Sequence, residues 1–246
     1  MGSTSELRLA ILVNHPPHTT FWPEVKQAFV DAFAIVAPHA RIDFYDPIIK
    51  REYPDPLKYD LIILSGGKGN SLSAEPWILR QINFVKDMVE RYPRKKILGI
   101  CFGHQVIAQA LGGKARDIPS GPIAGLVKIN LTEAGLKFFP GCATKGHYAA
   151  SQFHVREVNE APPGFTPLAE NNEALLSHSN TVISFQAHPE IDGIFSRKIL
   201  DDDDPTYIEH LTSAEVDDLK NHCADAQDGT DMLARVIAWV EEGPEL

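Results

Sequence analysis

The chain has few means of building a cross-linked or metal-bound framework. Its three cysteines, Cys101, Cys142 and Cys223, are odd in number and far apart among 246 residues. Neither a disulfide set nor a Cys-x-x-Cys zinc pattern can be assembled from them. Basic clusters are equally scarce, the longest being Arg94-Lys95-Lys96. Lys+Arg number 23 against 33 Asp+Glu, a formal charge of −10. That balance suits a phosphate backbone poorly, and nucleic acid is not expected as a partner. No apolar run reaches the roughly 18 residues of a membrane-spanning helix. The first apolar run, Leu9–Val13, is short and no basic leader precedes it, so no signal peptide or membrane partner is expected. Scattered single thiols fit a reducing, cytoplasmic setting. A Gly-x-x-x-x-Gly-Lys-Ser/Thr phosphate loop is missing too; Gly66-Gly67-Lys68-Gly69 has the wrong spacing.

What is present is the material of one globular unit, 43% hydrophobic, within ordinary soluble usage. Leu7–Val13 reads as a buried strand stopped by Asn14-His15-Pro16-Pro17. Pro23 suits a helix start, and Val25, Phe29, Phe33 and Val36 follow at helical spacing. Strands are predicted at Arg41–Tyr45, Leu61–Leu64 and Ile97–Ile100, and a helix over Trp77–Arg91. A further helical run covers Val106–Leu111. This alternation predicts an α/β fold with a mainly parallel central sheet flanked by helices. Leu126–Leu131, Thr166–Ala169, Leu175–Ser177 and Val182–Gln186 are predicted to return to the same sheet, followed by a last helix at Met232–Val240. The acidic run Asp201–Asp204, bounded by Pro205, reads as a solvated loop or helix start rather than a metal or partner site. No repeat or long linker divides the chain, so residues 1–246 are read as a single domain.

The strongest local signal is Gly99-Ile100-Cys101-Phe102-Gly103-His104-Gln105, where a buried strand ends in Gly-x-Cys-x-Gly and a helix begins. On its own, a cysteine after an apolar strand is more often a buried structural residue. The flanking glycines reverse that, because they permit the tight strand-to-helix turn of a nucleophile elbow. Such a turn projects its central residue at the carboxyl end of the sheet, where open α/β folds bind ligands. The helix start adds partial positive charge and unpaired backbone N–H groups, surroundings that suit a reactive sulfur.

A nucleophile needs a base, and the base needs an orienting group. His188-Pro189-Glu190, at the end of the strand Val182–Gln186, offers both, although His-x-Glu triplets also arise by chance. A metal reading lacks a third ligand at sensible spacing. Ser65-Gly66-Gly67 after Leu61–Leu64 is either an ordinary tight turn or the source of a second oxyanion N–H, from Gly67.

In this order and at these distances, the three segments resemble the triad-type class I glutamine amidotransferases. The segments are Ser65-Gly66-Gly67, Gly99 to Gln105, and Gln186-Ala187-His188-Pro189-Glu190. The similarity runs from the first strand to about Glu190. Within that family the chain is most similar to the stand-alone γ-glutamyl peptidase-like branch, through Tyr59-Asp60, Trp77-Ile78, Lys96 to Gln105, and Phe153 to Val158. The resemblance implies a flavodoxin-like fold, with Cys101 as nucleophile, His188 as base and Glu190 as its orienter. It implies Gly67 and Phe102 as oxyanion donors, and Gln105, Gly66 and His154 on the substrate side. His104 belongs to the motif without a catalytic role. Lys68 stands where the family often has proline, and Arg156 where it usually has aspartate.

The implied chemistry is hydrolysis of a γ-glutamyl amide or peptide bond through a γ-glutamyl thioester, with no metal or organic cofactor. The substrate would be glutamine or another small γ-glutamyl compound. Three other readings stay open. The chain could be a glutaminase subunit delivering ammonia to a partner synthetase, a tailoring enzyme using the same cysteine on a non-glutamyl substrate, or a binding module that kept the fold.

Overall fold

A computed structural model describes residues 6–19, 21–202 and 204–243. The chain opens with β1 (Arg8–Leu12), α1 (Phe21–Val36), β2 (Arg41–Tyr45), β3 (Leu61–Leu64), α2 (Pro76–Arg91), β4 (Lys96–Ile100) and α3 (Phe102–Ala110). It continues through β5 (Lys114–Asp117), β6 (Ile123–Asn130), α4 (Glu133–Phe138), β7 (His147–His154), β8 (Arg156–Glu160), β9 (Phe165–Pro167), β10 (Ala174–Ser177) and β11 (Val182–Phe185). The last elements are α5 (Gly193–Leu200), α6 (Ser213–His222) and α7 (Gly229–Glu241).

A seven-stranded sheet in the order β2-β1-β3-β4-β11-β10-β9 forms the frame. Its first five strands are mutually parallel, and β10 and β9 add antiparallel at one edge. Both faces are covered, which explains why β1 and β3 read as unbroken apolar runs rather than alternating ones. Leu9, Ile11, Leu61 and Ile63 point into one core with Phe29 and Phe33 of α1 and with Val236 and Trp239 of α7. Ala10, Leu12, Ile62 and Leu64 point into the other, with Val85 of α2 and Val106 of α3.

The sequence expectation is corrected at one strand. The segment around Leu126–Leu131 does not return to the central sheet. As β6 it pairs antiparallel over eight residues with β7, in a separate two-stranded sheet. Apolar spacing identifies a strand but carries no information about its partner. Here the partner is a segment, His147–His154, with no alternation to mark it. Strand β5 likewise pairs with β8 outside the main sheet. In the acidic run, Asp201 caps the end of α5 and pairs with Lys220 (2.6 Å), while Asp204 caps the short turn Pro205–Tyr207; Asp203 lies outside the described residues. No helix among the described residues is long and apolar enough to cross a membrane.

Candidate active site

The four parallel strands β1, β3, β4 and β11 end beside one another, and the loops that leave them build the site. Between β4 and α3, Cys101 takes φ 49° and ψ −101°, a left-handed conformation that a residue bearing a Cβ adopts only at a cost of order 1–3 kcal/mol. Its N–H donates to the Phe185 carbonyl at 2.8 Å, which ties the elbow to β11. The strain therefore sits on the cysteine itself. The flanking glycines supply room instead: a Cβ on Gly103 would collide with the Leu64 carbonyl, and one on Gly99 with Gly103 and Ile107. Close packing of α3 on β3 and β4, not glycine φ, fixes Gly-x-Cys-x-Gly. Phe102 is the first residue of α3, so its N–H has no acceptor within the helix.

Past the end of β11, the His188 N–H donates to the Ser151 carbonyl of β7 at 2.8 Å. Strand β7, outside the main sheet, thus anchors the histidine. His188 Nδ1 meets Glu190 Oε1 at 2.8 Å, with both side chains buried. Burial opposes charge on His188, but Glu190 and the Cys101 sulfur outweigh it and push its pKa up to about 10. Glu190 Oε2 is buried without a hydrogen-bond partner among the described residues.

The Ser65-Gly66-Gly67 turn is held from below by Asn14. The Asn14 N–H donates to Ser65 Oγ at 2.9 Å, its Nδ2 donates to the Ser65 carbonyl at 2.8 Å, and its Oδ1 accepts from Gln81. A Cβ on Gly67 would strike the Asn14 carbonyl, and one on Gly66 would strike Cε1 of His188. Gly66 is thus the floor on which the imidazole rests. Gly66→Ala is expected to displace the ring, lowering kcat by about 10²-fold for a shift near 1 Å while the fold persists. Steady-state kinetics and circular dichroism of the variant check this.

Other residues named from sequence are occupied internally. Gln105 Nε2 donates to the Arg156 carbonyl (2.9 Å) and to Gln186 Oε1 (3.2 Å), and its Oε1 accepts from Ser71 (2.8 Å). Both Gln105 and His154 line the cavity beside Cys101. His154 lies between the Arg156 carbonyl at 2.8 Å and Gln152 Oε1 at 2.6 Å, and burial lowers its pKa to about 4. His104 is fully buried against Ser184 Oγ at 2.7 Å, away from the site. Lys68 is engaged by Asp204 at 2.6 Å and lies over the Phe21 ring, while Arg156 pairs with Asp117 at 3.0 Å. Sequence reasoning missed His15 and Tyr207, which line the site with Cys101. The position of His15 just after β1 was the available signal, because parallel strands deliver such residues to the ligand end.

Gln152 also donates to Glu173 Oε2 at 2.7 Å, and burial raises the Glu173 pKa to about 7 despite that bond. The folded state then holds this proton more tightly than the unfolded chain, so stability falls as pH rises from about 4.5 to 7. Glu173→Gln is expected to lose that fall, gaining on the order of 1–3 kcal/mol over wild type at pH 8 and little at pH 4.5. Thermal unfolding across pH measures it.

A parallel sheet with a strained cysteine at a helix start and a buried His–Glu pair beside it defines an amidotransferase-like α/β enzyme. A sequence profile of the glutamine amidotransferase class-I family matches residues 26–201, and the chain belongs to that family. It is 41% identical over 243 residues to the glutamine amidotransferase-like protein chyE of Penicillium rubens, covering 98% of this chain and all of that one. It is 29% identical over 174 residues to γ-glutamyl peptidase 5 of Arabidopsis thaliana, covering 63% and 68% of the two chains. Among solved structures, a glutamine amidotransferase from Thermotoga maritima superposes with a TM-score of 0.70 at 16% identity, covering 96% of this chain and 99% of that one.

Proposed function

We propose that the protein hydrolyses a γ-glutamyl amide or peptide bond of a small molecule, with Cys101, His188 and Glu190 as its catalytic triad. The observation that carries this reading is the buried Nδ1–Oε1 contact of 2.8 Å between His188 and Glu190, on a ring that shares its cavity with the strained Cys101. In the first step the Cys101 sulfur, its proton taken by His188, attacks the carbonyl carbon. The tetrahedral oxyanion is received by the N–H groups of Phe102 and Gly67, each such donor being worth about 10²–10³ in kcat. The C–N bond then breaks as His188 passes its proton to the departing nitrogen, leaving a γ-glutamyl thioester. Water, losing a proton to the same imidazole, attacks the thioester, and the sulfur departs to restore the enzyme. The acyl end of the substrate lies in the cavity bordered by Gln105, His154 and Arg156. Because Lys68 and Arg156 are already paired, that end is recognised chiefly by backbone and neutral groups.

Incubating the protein with glutamine, glutathione and γ-glutamyl alkylamides and measuring glutamate release tests the reading. Release of glutamate, with a trapped thioester on Cys101, is the expected result. No release from any of them, with Cys101 still open to iodoacetamide, removes the γ-glutamyl specificity and leaves a tailoring reaction on another acyl group. Activity appearing only with a co-purifying synthetase identifies an ammonia-supplying subunit instead.

A further inference from the structure

Two cavities meet at Cys101, sharing Gly67, Lys68, Phe153 and Tyr207. They differ in chemistry. The first holds Phe102, Gln105, His154 and Arg156. The second holds His188 and Glu190, and its other walls are largely apolar: Phe21 and Val25 of α1, Ile191, Phe195 and Ile199 of or beside α5, and Tyr207. It contains about 540 Å³ of empty space, part of it open to solvent.

The reaction assigns the two cavities. The oxyanion donor Phe102 borders only the first, so the acyl group lies there. The acid that protonates the leaving nitrogen borders only the second, so the leaving group lies there. Its walls offer aromatic faces rather than charge. Phe21 stacks on His15 at 6.0 Å and leans on Phe195 at 6.4 Å, and the Tyr207 ring meets Phe153 edge-on at 5.7 Å. The one Lys or Arg among the lining residues, Lys68, is already held by Asp204. His15 is kept neutral by burial and by the nearby His188 and Lys68, with a pKa lowered to about 4. A leaving group ending in a carboxylate would find no uncommitted cation among the described lining residues.

We propose that the amine released by this enzyme carries an uncharged aromatic ring on a short alkyl link, so that its substrate is a γ-glutamyl amide of an arylalkylamine. The proposal rests on the γ-glutamyl reading above and specifies its leaving side. The Cys101 sulfur forms its bond to the acyl carbon, the C–N bond breaks, and the nitrogen takes the His188 proton. The ring-bearing amine then departs, and water releases glutamate from the thioester.

The test compares γ-glutamylbenzylamide with γ-glutamylmethylamide and γ-glutamylglycine, all three being amides of alkylamines that differ chiefly in ring and charge. The expected result is kcat/KM at least tenfold higher for the benzylamide than for either, since an apolar pocket rewards each added carbon by about tenfold or more. Phe21→Ala and Phe195→Ala are each expected to lower the benzylamide-to-methylamide ratio about tenfold. Turnover of all three within a factor of two overturns the proposal and leaves the γ-glutamyl reading intact. Preference for γ-glutamylglycine overturns it as well. Turnover of none removes the underlying reading, and this proposal with it. The wild-type ratio alone decides the matter if either variant fails to fold.

Discussion

Replacing Cys101 by alanine is expected to lower γ-glutamyl hydrolysis by about 10⁴-fold or more, as loss of a nucleophile does in enzymes of this logic. Replacing it by glycine should abolish activity equally, and the two variants should part in stability. At φ 49° and ψ −101°, alanine keeps the steric cost of a Cβ, whereas glycine does not. Cys101→Gly is therefore expected to exceed Cys101→Ala by about 1–2 kcal/mol in chemical denaturation. Equal stabilities would mean that the elbow is unstrained. Residual turnover in both variants near wild type would mean that the sulfur does not attack.

Glu190→Gln is expected to lower kcat by about 10³–10⁴-fold, the scale seen when the orienting carboxylate of a triad becomes an amide. Its pH signature is more diagnostic than its size. His188 is held at about 10 because Glu190 and Cys101 overcome the burial that opposes its charge. If His188 is the acid of the proposed mechanism, wild-type activity is expected to fall as pH approaches 10, where His188 loses its proton. Without the Glu190 charge, burial is opposed by Cys101 alone and the His188 pKa moves down, so the alkaline limb of kcat should appear at lower pH. Stability follows the same sign. A histidine raised from 6.5 contributes stability that is fully present below pH 6.5 and is lost as pH rises through about 10. Glu190→Gln should lack that contribution, and its unfolding midpoint should depend less on pH over this window. A variant losing activity with an unmoved alkaline limb would show that Glu190 does not set the state of His188.

Much of the frame was legible from residue order. Strands β2 and β3 begin and end where apolar runs and turn residues said they would, because both are closed by hard signals, Asp46-Pro47 and Ser65-Gly66. Helix α1 follows Val25, Phe29 and Phe33, and α7 follows Met232, Val236 and Val240, since each presents one apolar stripe to the same core. Strands β5, β7 and β8 and helices α4 to α6 carry weaker patterns. Strand β7 is buried along nearly its whole length with Ser151, Gln152 and His154 among its residues. A strand that buries polar groups in internal hydrogen bonds leaves no alternation to read.

The sequence by itself determined the class of site: a cysteine between two glycines after a buried strand, and a histidine and glutamate after another. Local chemistry suffices there, because an elbow is made by a few consecutive residues. Only the tertiary structure decided what surrounds that sulfur. It set Gly66 beneath His188, engaged Lys68 with Asp204 across 136 positions of chain, and walled one side of the site with Phe21 and Phe195 from distant helices. Such contacts depend on how layers pack rather than on which residues are neighbours in the chain. The elbow that carries the cysteine was readable from neighbouring residues, while the walls around it were not.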